Sequence, residues 1–267
     1  APRLWKASTA EDTISILSER SFDLIIIMLR ISDMNPIKLS QKIKKRYPDK
    51  PIVLLAFDES ELISLQTKHL KNIDNIFIWA GNSNVFTAII KNIEDKNNVS
   101  RDTEYGDVRS IIVVEDTPRY YSSILPMLYK IIVRHTNDLI NQSLNDTQKL
   151  LHLRKRPKIL LAQNYEEAIS YFDQYQNNIL GIISDIRFPK SHVKDSNAGV
   201  IFSEYVQSKN ESIPIILQTT DVSIKDKIMS ITDLLLNKNL NSEIIINLEK
   251  FNTGNQSNLS NIVGKLF

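Results

Sequence analysis

The stretch Asn178-Ile179-Leu180-Gly181-Ile182-Ile183-Ser184-Asp185-Ile186-Arg187-Phe188-Pro189 decides how the chain is read. Its apolar run is near-continuous rather than alternating, the pattern of a strand buried on both faces in a parallel sheet covered by helices. The run ends on an acid, Asp185. Working outward, the candidate strands are Ile111–Val114, Lys158–Ala162, Leu180–Ser184, Ile215–Gln218 and Leu234–Asn237. Segments of helical period follow them at Pro118–Asn141, Tyr165–Gln176, Gly199–Lys209, Ile224–Ser230 and Ser242–Phe251. Five β/α units in succession predict an α/β, doubly wound parallel sheet with right-handed crossovers.

The same alternation fills the first hundred residues. Strands are predicted at Arg3–Ala7, Leu24–Met28, Ile52–Ala56 and Ile76–Trp79, and helices at Ala10–Arg20, Ile37–Tyr47, Glu59–Leu70 and Asn84–Ile93. The two halves repeat one another. Phe22-Asp23-Leu24-Ile25-Ile26-Ile27-Met28 parallels the run up to Asp185, Pro51–Ala56 parallels Pro214–Thr219, and Ala7–Asp12 parallels Ala162–Glu167. The second copy is longer between its two blocks, which places a loop insertion around Ser191–Asn197. The first copy starts at what would be the second strand of the other, so its first strand and helix are missing. The polar stretch from Asp95 to Val108 reads as a linker by composition. The expected division is residues 1–94, a linker at 95–109, a second domain at 110–253 with an extended first helix and insert at 134–157, and a tail at 254–267.

Composition narrows the functional classes. With 267 residues, 42% of them hydrophobic and 24% charged, the chain can bury a core. The absence of Cys excludes disulfides, zinc fingers and thiol nucleophiles. Lys and Arg total 33 against 31 Asp and Glu, so neither nucleic acid nor an acidic membrane surface is the expected partner. There are six Gly and no glycine-rich phosphate loop of the dinucleotide or P-loop type. Apolar runs such as Leu24–Leu29 fall far short of the ~20 residues that span a bilayer. No signal peptide is visible at Ala1-Pro2-Arg3, and no initiating Met, so a cytoplasmic piece of a larger protein is expected.

In an open parallel sheet, ligands sit beyond the carboxyl ends of the strands. There the second copy places Glu115 and Asp116, then Asp185, Thr219-Thr220 and Lys238. Three carboxylates against one ammonium leave the crevice negative, which raises carboxyl pKa values or demands a cation. A hard divalent ion with oxygen ligands, Mg²⁺, suits the set. A phosphoryl group could then enter, its charge met by the ion, Lys238 and the Thr219 hydroxyl. A carboxylate that becomes an aspartyl phosphate is known chemistry.

These residues resemble the receiver domains of two-component response regulators. The resemblance covers about Ser110–Phe251 and rests on five positions in order. They are the Glu115-Asp116 pair, Asp185-Ile186-Arg187-Phe188-Pro189, Thr219 and Lys238. It implies a flavodoxin-like fold with sheet order 2-1-3-4-5. It further implies Asp185 as phosphoacceptor and Mg²⁺ held by Glu115, Asp116, Asp185 and the backbone carbonyl of Arg187. Lys238 would bridge carboxylate and phosphate, and Thr219 would act as the switch. The module would be a signalling receiver rather than an enzyme. Its partners would be a sensor histidine kinase or phosphotransfer protein and an adjoining effector domain, with a homodimer as one form of output. Two positions depart from the family: Asn239 follows the lysine in place of Pro, and Leu235 takes an aromatic position. They motivate an alternative, an unphosphorylated interaction or dimerisation scaffold. A haloacid-dehalogenase-type hydrolase is disfavoured, because Arg187 stands where a second Asp is needed. The first copy resembles the same family stripped of its chemistry, with Met28 for the acceptor, Ala56 for the hydroxyl and Trp79-Ala80 for the lysine and proline.

Overall fold

The structure, a computed structural model, describes residues 3–63, 67–143, 145–147, 149, 155–219 and 244–247. The chain divides into two compact units, Ala1–Ile93 and Glu94–Phe267.

In the first unit the elements are α1 (Ala10–Glu19), β1 (Ile25–Met28), α2 (Pro36–Arg46), β2 (Ile52–Ala56), α3 (Glu59–Ile63), β3 (Asn75–Ile78) and the start of α4 (Asn84–Gly106). Local chemistry accounts for the helix starts. The Thr9 side chain accepts from the Asp12 amide, and Asn35 accepts from Ile37 with Pro36 in the first turn. The strands form a parallel sheet in the order β1-β2-β3. β2 is buried along its whole length, as an all-apolar central strand requires. Leu17, Ile27, Leu39, Ile43, Ile52 and Leu54 pack into the core.

Three expectations change here. Arg3–Ala7 forms no strand and joins no sheet among the described residues. Trp5 instead lies under the Arg20 guanidinium, 4.1 Å from its ring centre. Within the helix expected over Glu59–Leu70, residues 64–66 lie outside the described residues, and Thr67–Asn72 is a 3₁₀ segment rather than α-helix. The expected linker at 95–109 is helical as far as Gly106, because α4 continues and one face of it is buried, with polar Asp95 and apolar Val99 both inside.

The second unit continues with β4 (Ser110–Val114), α5 (Pro118–Gln142), β5 (Lys158–Ala162), α6 (Tyr165–Tyr175) and β6 (Ile179–Asp185). After these come β7 (Phe188–Lys190), β8 (Val193–Asp195), α7 (Ala198–Lys209), β9 (Ile215–Gln218) and β10 (Ile244–Asn247). Its sheet is parallel throughout, in the order β10-β9-β6-β4-β5. From the β5 edge its strands run second, first, third, fourth and fifth in order of occurrence. Ile112, Leu160, Phe172, Ile182, Phe202 and Ile215 sit in the core. Asp95, fully buried, ties it together: its carboxylate accepts from the Tyr129 hydroxyl at 3.0 Å, the Ile159 amide at 2.9 Å and the Arg156 guanidinium. Lys158 closes the network on Asp102 at 2.7 Å. Arg156 and Lys158 are thus internal counter-ions of Asp95 and Asp102.

The fifth strand is also a correction. The strand expected at Leu234–Asn237 lies outside the described residues, and the partner of β9 is Ile244–Asn247, within the helix expected over Ser242–Phe251. Three consecutive isoleucines are stiff at χ1, and a sheet edge suits them better than a helix.

Candidate functional site

The chain winds from β4 outward to β5, then crosses to β6 on the other side, so β4 and β6 flank the point where the winding reverses. Such a point opens a crevice beyond the strand ends. Glu115 and Asp116 follow β4 directly, and Asp185 closes β6. Carboxylate oxygens of all three lie within 4.8 Å of one another. Glu115 is 4% exposed and Asp185 6%, while Asp116 is half-buried.

Backbone amides hold two of these acids. Glu115 Oε1 accepts from the Thr117 amide at 3.0 Å, and Asp185 Oδ1 accepts from the Ile186 amide at 2.8 Å. The floor behind Asp185 is set by Gly199 in the first turn of α7, whose amide donates to Ile186 at 3.0 Å. A Cβ on Gly199 would stand 2.2 Å from the Asp185 carbonyl oxygen, so only glycine lets α7 approach this closely. Thr219 is buried directly after β9. Beside it, Gln218 Nε2 is enclosed, with no hydrogen-bond partner among the described residues. Gln218 lines a cavity with Glu115, Tyr120 and Ile124. Arg187 lies in the two-residue link between β6 and β7 with its side chain exposed. Lys238 lies outside the described residues. It precedes β10 in the chain, whereas the resemblance expects it after the fifth strand; Lys250 is the first lysine beyond β10.

Mutually close, buried carboxylates repel unless a cation or a proton intervenes. All-oxygen donors at this spacing fit a hard divalent ion such as Mg²⁺, and not a soft thiophilic metal. The sequence missed one cation. Lys194 Nζ lies 3.1 Å from Asp116 Oδ2, delivered by the β7–β8 hairpin where only a loop was expected. The turn Ser191-His192 carries none of the Gly or Asn that usually betrays a two-residue hairpin. Gly199 was legible only as a helix start.

The first unit fills the corresponding strand ends differently. Met28 ends β1, Ala56 ends β2, and Trp79 follows β3. The Trp79 ring lies 5.4 Å from that of Phe57 and 6.1 Å from that of Phe86. The nearby acid in sequence, Asp33, is spent on α1: its carboxylate accepts from the Ala10 amide at 2.9 Å and the Glu11 amide at 3.2 Å. Those bonds hold its carboxyl below the ordinary range.

No protein-family model matches the chain, and no curated protein does. Among solved structures it is similar to the phosphorylated cyanobacterial phytochrome response regulator RcpA, with 20% identity, 60% of this chain and 91% of that one covered, and a TM-score of 0.31. It is also similar to a putative two-component system response regulator/GGDEF domain protein, at 12% identity and a TM-score of 0.33, with 97% of this chain and 86% of that one covered. A probable protein of the same description gives 13% identity and a TM-score of 0.34 at the same coverage. Among the described residues no helix is long and apolar enough to cross a membrane.

Proposed function

We propose that the second unit is a phosphoacceptor module of the receiver type, in which Asp185 accepts a phosphoryl group. The observation that carries the reading is the convergence of Glu115, Asp116 and Asp185 across the β4/β6 switch point. Glu115, Asp116, Asp185 and the Arg187 carbonyl would hold Mg²⁺, which when bound neutralises the acids and polarises the incoming phosphoryl oxygens. A carboxylate oxygen of Asp185 attacks phosphorus, the bond from phosphorus to the donor breaks, and the donor leaves with the electron pair. The Ile186 amide bond to Asp185 Oδ1 orients the carboxylate for that attack. Thr219 would offer its hydroxyl to the product, and a lysine, Lys238 by motif, would offset its charge. A sensor histidine kinase or phosphotransfer protein supplies the phosphoryl group, and an effector domain or a second copy of the chain receives the change in surface. The first unit is a degenerate copy that keeps the fold and has given up the chemistry.

The test is thermal melting with Mg²⁺ and beryllofluoride, which mimics the acyl phosphate. Wild type is stabilised, and Asp185→Asn is not. An identical response of the two proteins refutes the assignment. The Lys194–Asp116 pair favours a second reading, an unphosphorylated scaffold whose acids are already partly neutralised. That reading requires a melting temperature indifferent to millimolar Mg²⁺ in the presence and absence of Asp116.

A further inference from the structure

We propose that Lys194 sets the cation affinity of the acidic crevice, as a tethered counter-ion that a divalent ion must displace from Asp116. This rests on the reading of Glu115, Asp116 and Asp185 as a cation site.

The device begins in the backbone. After β6 the chain turns back on itself, pairing Phe188 with Asp195, Pro189 with Lys194 and Lys190 with Val193 in antiparallel register. Its turn residues, Ser191 and His192, have φ of 51° and 65°. Positive φ at both central positions is the sense of a type I′ hairpin turn, and residues other than glycine keep it only where the surroundings fix it. They do so here. Phe188 is fully buried in the core, and the Ser191 amide donates to Glu166 Oε1 at 2.8 Å. That bond holds the Glu166 carboxyl below its ordinary range, with the His192 and Lys190 charges acting in the same direction. The Lys190 ammonium lies 4.7 Å from the centre of the Tyr165 ring. Asp195 Oδ1 accepts from the Asn197 amide at 2.8 Å, tying the second strand to the start of α7.

So anchored, the hairpin brings Lys194 Nζ to 3.1 Å from Asp116 Oδ2 and 3.4 Å from Oδ1. The Lys194 side chain is 57% exposed and that of Asp116 17%, so the pair can open on the lysine side without disturbing the core. An ammonium and a divalent ion need the same carboxylate lone pairs, and the like charges repel. One must leave for the other to bind.

The experiment is titration calorimetry of the whole chain with MgCl₂ and MnCl₂. Lys194→Met, which keeps the aliphatic stem, binds roughly twofold to fivefold tighter than wild type, the range of a partly exposed ion pair. Lys194→Arg stays near wild type. Equal or weaker binding by Lys194→Met overturns the proposal and leaves the cation site standing. No binding by any of the three proteins overturns the cation site itself. Hydrogen exchange supplies a second readout: in wild type, Mg²⁺ speeds amide exchange over Lys190–Asp195, and an unchanged rate contradicts displacement.

Discussion

Where β6 ends in Asp185, β1 ends in Met28; where Thr219 follows β9, Ala56 closes β2. Beyond the second sheet three carboxylates crowd within 4.8 Å, and beyond the first Trp79 packs among Phe57 and Phe86. Both units keep the buried apolar strands and the capped helices that make the fold. What differs is a handful of side chains at strand ends, which the fold does not need and the chemistry does. Aromatic packing can take their place because those positions close a crevice rather than a core.

The largest effect belongs to the scaffold of the second unit. Asp95→Ala removes the buried acceptor shared by Arg156, Tyr129 and the Ile159 amide and costs about 3–5 kcal/mol in urea unfolding. A loss below 1 kcal/mol would show that the buried network is dispensable. Next comes Gly199→Ala. Its Cβ collides with the Asp185 carbonyl, so it costs about 2 kcal/mol and weakens Mg²⁺ binding. The start of α2 in the first unit is Pro36-Ile37, with no glycine, so Ile37→Ala there leaves Mg²⁺ binding unchanged. Unequal effects of this pair on the ion sharpen the contrast between the units; equal effects break it.

Met28→Asp asks whether an acid at the end of β1 suffices for the proposed chemistry. It yields no phosphorylation with acetyl phosphate, because among the described residues the only cluster of acids spaced to hold an ion is Glu115, Asp116 and Asp185 in the second unit. Labelling at position 28, read by mass spectrometry, would remove the distinction. The smallest effect is acid sensitivity. In Asp102, burial pushes the carboxyl up but the hydrogen bond and charge of Lys158 outweigh it, and Asp33 is lowered by the Ala10 amide. Both folded values lie below the unfolded ones. Each therefore contributes stability above about pH 4, and that contribution is lost as pH falls through the folded value. Melting temperature should drop as pH falls below about 4, and less steeply in Asp33→Asn and Asp102→Asn.

Much of this was legible in the sequence because parallel strands buried on both faces write themselves as unbroken Ile/Leu/Val runs. β2, β4, β5 and β9 emerge from such runs within a residue or two. The acids Glu115, Asp116 and Asp185 were legible because strand ends and switch points obey topology. What escaped notice depends on partners distant in sequence. Arg3–Ala7 has the composition of a strand and pairs with no strand among the described residues. Asp95 sits in a polar stretch that reads as linker until Arg156 and Tyr129 surround it. Lys194 reads as a loop lysine until a turn without glycine folds it back onto Asp116. Ile244–Asn247 carries helical spacing, yet pairing with β9 decides its state.

The most direct test locates the phosphoryl group. The whole chain is incubated with acetyl phosphate and Mg²⁺, and any hydroxylamine-sensitive acyl phosphate is mapped by tandem mass spectrometry. A single modified residue, Asp185, with none in residues 1–93, is the expected result. A modification elsewhere, or none under conditions where Mg²⁺ binds, would contradict it.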